Sequence, residues 1–202
     1  MLTECRPPHV LTDVVSSAYG SDSTREVRAM LERWQDFYVL VGTAAAALIA
    51  LLFVAVSIGV GVLPRESHGP TRTYMSPVAF HFAAVLFVAA VALVPSHTPA
   101  SLGLLLGGAA AVGIVYAAFI IRRLLTDNIA DLPDRLAYGL APLVAYAGVL
   151  AAALLFQQGP ERAADVLAAA VLLLLIVNIR NAWDLLLAMA RRRSQSRQDG
   201  AG

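Results

Sequence analysis

Apolar and polar positions along this chain separate into long blocks and do not alternate. Five stretches rich in Ala, Val, Leu, Ile, Phe and Gly, near 37–63, 77–94, 100–121, 136–156 and 161–190, are divided by short polar runs. About 20 apolar residues in a helix cross ~30 Å of hydrocarbon, so each block reads as a membrane span. The interior of the first, 39–62, carries no charge. Helix punctuation falls between the blocks. Pro64 closes the first and Pro95 the second, while Ser76–Pro77 and Thr98–Pro99 are pairs suited to an N-cap and a first helical turn. Arg122 and Arg123 mark the exit of the third. Pro142 lies inside the fourth and predicts a kink. The run from Gln157 to Pro160 predicts a tight turn, and the fifth block outlasts the membrane before reaching Arg191, Arg192 and Arg193.

Ahead of the first span, residues 1–22 read as irregular, with Pro7, Pro8 and Gly20. Ser23 and Glu26 have the spacing of a capping box. Val27, Met30, Leu31 and Trp34 then recur along one helical face, with Arg25, Arg28 and Arg33 mostly opposite. This pattern predicts an amphipathic helix lying in the membrane interface; the alternative is a solvent-exposed first turn of the next helix. Trp34, Phe37 and Tyr38 are expected to anchor the first span at the headgroups. The first 35 residues hold no apolar signal region, so the first block is expected to serve as an uncleaved anchor. The fold class is therefore all-α: a polytopic membrane bundle of about five transmembrane helices with an N-terminal amphipathic interfacial helix. Its expected parts are 1–35 (tail and interfacial helix), 36–190 (membrane domain) and 191–202 (a basic, disordered tail).

Composition agrees with lipid as the solvent. The 202 residues are 58% hydrophobic and 14% charged, with a mean hydropathy of +0.69. Soluble domains run nearer ~45–50% apolar and ~25% charged. All 15 basic residues are Arg, and a chain without Lys forms no Schiff base with retinal or pyridoxal phosphate. Cys5 is the single cysteine, which excludes an internal disulfide, a thiolate zinc cluster and an iron–sulfur site. The motifs GxSxG, HExxH and GxxxxGK[ST] are absent, and the arginines flank spans without building a patch for nucleic acid. The expectation is a non-enzymatic protein with no cofactor, no metal and no nucleic-acid partner.

Arginine placement also bears on orientation. With five spans, Arg6, Arg25, Arg28, Arg33 and Arg162 fall on one side, five against nine on the other, which favours a cytoplasmic C-terminus. The three arginines just before the first span argue locally the other way.

Within hydrocarbon, helices associate through close contact of small residues and through polar bonds. Gly103 and Gly107 form a GxxxG pair that Ala111 extends, and Gly42, Ala46 and Ala50 make a similar ridge in the first span. Such ridges serve contacts within one chain or between chains. Polar groups at membrane depth are candidate functional residues. His81, one turn into the second span, reads as a proton-linked switch, a haem ligand or a hydrogen-bonded structural residue. Asn178, Arg180, Asn181 and Asp184 form the densest cluster, with Arg180 and Asp184 spaced to pair on one face and Asn178 and Asn181 sharing another. They read either as a snorkelling helix end or as a polar ring at the cytoplasmic mouth of an oligomeric pore. Asp127, Asp131 and Asp134 form a DxxxDxxD run. Paired Asp four apart can hold Mg²⁺ and a diphosphate. Membrane prenyltransferases use two such motifs, so the single run reads as a solvated loop. Ser57 is expected to bond a carbonyl of its own helix.

The segment WQDFYVLVGTAAAALIALLFVAVS, from Trp34 to Ser57, resembles the opening of a group of small uncharacterised bacterial multi-pass membrane proteins. The shared features are an aromatic FY pair, a GTAAA segment and an LLFVAxS segment, and AWDLL at Ala182 to Leu186 resembles the group's ending. The resemblance covers about a quarter of the chain and implies a multi-pass protein of the bacterial inner membrane, with no activity attached. The leading functional expectation is an oligomeric, non-enzymatic membrane protein forming a small ion channel, with lipid and further copies of itself as partners. An accessory subunit docked on a larger membrane complex is the alternative. A membrane-embedded lipid enzyme relying on Asp127 and Asp131 is the third reading.

Overall fold

The computed structural model describes the backbone at 22–60, 68–126, 136–156, 158 and 160–199, and side chains at 22–57, 77–126, 138–156, 158, 161–188 and 190–191. Six helices follow one another: α1 at 22–33, α2 Gln35–Val60, α3 His68–Ala92, α4 Pro99–Thr126, α5 Ala141–Leu155 and α6 Pro160–Asp199. A wider π-type turn, Leu136–Leu140, leads into α5. The chain is a membrane helical bundle.

The distribution of side chains identifies the solvent. Leu40, Phe53, Leu104, Val115, Leu154 and Ile176 lie on the outside, whereas His81, Asn178 and Asn181 are buried. In water this arrangement would be inverted. In lipid an exposed leucine costs nothing and an exposed amide is expensive.

Four helical segments are long and apolar enough to cross a membrane: Gln35–Ser57, Pro99–Thr126, Tyr138–Leu155 and Glu161–Ala188. The apolar part of α3, Pro77–Ala92, is shorter. It nonetheless traverses the bundle. Near one end Ala89 packs beside Gly42 at the start of α2, and near the other Val78 accepts a hydrogen bond from Asn178, far along α6. At ~1.5 Å per residue its sixteen residues (77 to 92) cover ~24 Å, and the helical turns before Pro77 supply the rest.

Helices α3, α4, α5 and α6 form a closed ring of neighbours, and α2 packs against α3 and α6 from outside it. Buried positions make up 17% of the α2 span against 50% of the α6 span, so α2 is peripheral and mostly faces lipid. Close approach inside the ring relies on small residues. A β-carbon on Gly103 would lie 3.0 Å from the Ala153 carbonyl oxygen, and one on Gly148 would lie 2.9 Å from the Ala170 β-carbon.

Several details depart from the sequence pattern. The α3 helix begins at His68, so Pro77 sits inside a helix and does not open one. Pro142 stands in the first turn of α5, directly after the π-type turn, where the N–H that a proline lacks would have had no helical partner. Helix α6 continues to Asp199, past the expected disordered tail from 191, in keeping with the good helix propensity of Arg and Gln. Tyr38 is not an interfacial anchor: it is fully buried. The amphipathic helix α1 is present, but protein covers its apolar stripe, with Val27, Met30 and Leu31 buried in the common core. Arg33 also pairs at 3.2 Å with Glu161 at the start of α6, an exposed contact beside this buried stripe. Asp127, Asp131 and Asp134 lie outside the described residues.

The Thr98–Pro99 start of α4 is well capped. Ser101 N–H donates to Thr98 Oγ1 at 3.2 Å, and Thr98 N–H donates to Ser101 Oγ at 2.9 Å. Half-buried His97 leans on the same serine, with Nδ1 3.3 Å from Ser101 Oγ. Loss of an N-cap hydroxyl costs about 1 kcal/mol. Thr98→Ala should therefore lower the melting temperature slightly and Thr98→Ser should restore it, as read by circular dichroism in detergent. Ser57 Oγ donates to the Phe53 carbonyl at 2.8 Å, within its own helix.

Candidate functional site

His81, Tyr146, Asn178 and Asn181 lie toward the end of the bundle where α6 leaves it. Helix α3 contributes Val78 and His81, which share a face three residues apart. His81 is 1% exposed, and its Nδ1 lies 2.8 Å from the Tyr146 hydroxyl of α5. If the tyrosine donates, the imidazole carries its proton on Nε2; if Nδ1 donates, Nε2 is a bare lone pair. In either tautomer Nε2 has no partner among the described residues. Aromatic rings enclose the imidazole. The ring centroids of Phe80, Tyr116 and Tyr146 lie 5.6, 5.9 and 5.6 Å from that of His81, and Phe80 stacks on Tyr116 at 4.2 Å.

This enclosure depends on a glycine. Gly113 precedes Tyr116 by one turn of α4, and a β-carbon there would overlap the ring of Tyr146. The absence of a side chain at 113 lets Tyr146 lie across α4 and reach His81.

Helix α6 supplies the two asparagines. Asn178 is 1% exposed and donates through Nδ2 to the Val78 carbonyl at 2.8 Å, one residue after Pro77. Its Oδ1 has no partner among the described residues. Asn181 is equally buried, and its backbone carbonyl accepts the Tyr138 hydroxyl at 2.9 Å. Arg180 and Asp184 lie on a separate, part-exposed face, with Arg180 turned farther out than Asp184. They pair at 3.6 Å with side chains 50% and 40% exposed, beside Trp183, and point away from the chain's own bundle. The cluster is thus two sites: an inward pair of amides that ties α6 to α3, and an outward pair of opposite charges.

The small-residue ridges divide in a similar way. Gly103 and Gly107 face Ala153 of α5, and Gly42 faces Ala89 of α3. Ala46, Ala50 and Ala111 are exposed. Ala45 and Ala110, one residue earlier than Ala46 and Ala111, take the buried places. A strict four-residue ridge drifts around a helix of 3.6 residues per turn, so its later members, Ala111 in α4 and Ala46 and Ala50 in α2, turn outward.

Sequence reasoning did not single out Tyr116, Tyr146, Tyr138 or Gly113. The signal was a tyrosine inside an apolar span, since a phenol at membrane depth needs a partner. The buried Tyr38 hydroxyl also has none among the described residues. Among those residues no three His, Cys, Asp or Glu side chains converge as a metal site would require. Comparisons with protein-family models, with curated proteins and with solved structures give no match.

Proposed function

We propose that this chain is a non-enzymatic membrane protein that works as a homo-oligomer, with an ion-conducting path where copies meet along the outward face of α6. The observation that carries the reading is the Arg180–Asp184 pair. It lies within the Glu161–Ala188 span, on the outer face, with apolar Leu185, Leu186 and Leu187 still to follow. Ionised side chains inside a span are costly against lipid, so they snorkel to the headgroups or face other protein or a water-filled cavity. A face carrying one charge of each sign is complementary to itself, so a symmetric neighbour can offer Asp184 to Arg180 and Arg180 to Asp184.

A path between chains suits the interior better than a path through one. The ring helices approach at Gly103, Gly113 and Gly148, and the space between them holds side chains. Arg and Asp facing a shared axis would govern which ions pass. The resemblance of the first span supports a bacterial inner membrane, and the arginine imbalance of five against nine supports a cytoplasmic C-terminus.

The test joins stoichiometry to conductance. Native mass spectrometry in detergent should give a closed homo-oligomer. Liposomes containing it should pass ions, and Arg180→Ala should alter conductance or selectivity with the oligomer intact. A monomer would remove the assembly reading. An intact oligomer that leaves bilayers silent across several salts would remove the channel. A single stoichiometric partner recovered from the native membrane would support the accessory-subunit alternative.

A further inference from the structure

A second polar site lies at the opposite end of the bundle. A cleft of about 560 Å³ opens between α1, the end of α5 and the start of α6, lined by Glu26, Met30, Arg33, Leu155, Glu161 and Arg162, among others. That volume lies within the usual range for small-ligand sites, ~300–1,000 Å³. It sits where three apolar helices begin or end, the level at which headgroups are expected: α2 starts at Gln35, α5 ends at Leu155 and α6 starts at Pro160. Met30 and Leu155 make part of its lining apolar, and Leu154, next to Leu155 in the chain, is exposed on the outside of the bundle.

The charges on its walls are two of each sign. Arg33 and Glu161 neutralise one another at 3.2 Å. Glu26 and Arg162 line the same cleft, and neither has an ion-pair or hydrogen-bond partner among the described residues. Among the described residues the site therefore presents one unpaired cation and one unpaired anion beside the apolar Met30 and Leu155. A ligand matching that set carries a phosphate, a hydrogen-bonding ammonium and acyl chains.

We infer that this cleft binds a phospholipid with a phosphoethanolamine headgroup, the phosphate on Arg162 and the ammonium on Glu26. A primary ammonium donates hydrogen bonds to a carboxylate, which a quaternary ammonium cannot do. A glycerol headgroup leaves Glu26 unpaired. Acyl chains leaving the site pass down the lipid-facing surface near Leu154. The inference is independent of the oligomer reading, since it uses neither α6 beyond its first turn nor a second copy.

The test is lipid retention by the delipidated full-length protein in detergent. Dioleoyl phosphatidylethanolamine, phosphatidylglycerol or phosphatidylcholine is added back, and adducts are read by native mass spectrometry. Phosphatidylethanolamine should be retained in preference to the other two. Exposed charge contacts contribute modestly, so each should change retention about two- to fivefold. Arg162→Gln should weaken retention of all three lipids. Glu26→Gln should reduce only phosphatidylethanolamine, to the level of phosphatidylglycerol. Soluble O-phosphoethanolamine at equal concentration should leave the adduct in place. Equal retention of the three lipids by the unaltered protein, an ethanolamine preference that survives Glu26→Gln, or full displacement by the soluble headgroup would overturn the assignment. Both substituted side chains are exposed, and unchanged melting curves would show that the variants are folded.

Discussion

Gly113→Ala is expected to destabilise the bundle, although alanine is the better helix former. In an exposed helix the substitution gains about 1 kcal/mol. Gly108 supplies that reference on the same helix: it has nothing within 4 Å, so Gly108→Ala should be neutral or slightly stabilising. At 113 the new methyl group would overlap Tyr146 at three ring atoms. Tyr146 cannot yield without leaving His81, because its hydroxyl makes the 2.8 Å bond to Nδ1. Overpacking costs about 1–3 kcal/mol, and a polar group stripped of its partner adds about 1–3 kcal/mol. The steric and polar penalties together exceed the helix gain, and the thermal midpoint in detergent should fall by several degrees. Tyr146→Phe should cost less, since single interhelical hydrogen bonds in membranes average about 0.6 kcal/mol. The decisive measurement is coupling: in a Tyr146→Ala background, Gly113→Ala should lose most of its effect. If Gly113→Ala is as harmless as Gly108→Ala, the packing of Tyr146 across α4 is refuted.

The same contact shows where the sequence was legible. Block hydropathy located the membrane helices because lipid imposes a minimum apolar length on each. It could not assign their faces. A span surrounded by lipid on one side and apolar neighbours on the other has no strong amphipathic stripe, so periodicity carries little information there. The ridges show the consequence: Gly103 and Gly107 meet Ala153, whereas Ala46, Ala50 and Ala111, equally small and regularly spaced, face outward. Polar residues were better guides. The spacing of Arg180 and Asp184 gave their pairing, and that of Asn178 and Asn181 gave their shared inward face. The partners of those groups stayed hidden because they come from distant segments: Tyr146 lies 65 positions from His81 and Val78 lies 100 from Asn178. The covering of α1 was likewise unreadable. An apolar stripe beside arginines suits a lipid interface and a protein end-cap equally well, and what separates them is the burial of Val27, Met30 and Leu31 in the common core, with Arg33 meeting Glu161 across 128 positions.

Asn178 offers the second large effect, because opposite outcomes are expected from two substitutions of similar size. Asn178→Asp removes the Nδ2 donor and sets a carboxylate oxygen against the Val78 carbonyl in a site 1% exposed. Placing an Asp at membrane depth costs about 3 kcal/mol even on permissive scales, and the lost bond to α3 adds to it. Asn178→Leu removes the donor too, but it also removes Oδ1, which has no partner among the described residues. The Val78 carbonyl lies inside α3, where the helix itself supplies a donor, so losing the amide strands no group and the leucine variant should lie within about 1 kcal/mol of the parent. Both can be read from the fraction folded against added dodecyl sulfate. Equal loss in the two variants would mean that the amide acts through its shape and not through the bond to Val78. Arg180→Ala belongs in the same series. Its side chain lies on the part-exposed face of α6, so it should leave monomer stability nearly unchanged while altering assembly. That contrast, two residues apart on one helix, separates what holds the chain together from what joins it to its neighbours.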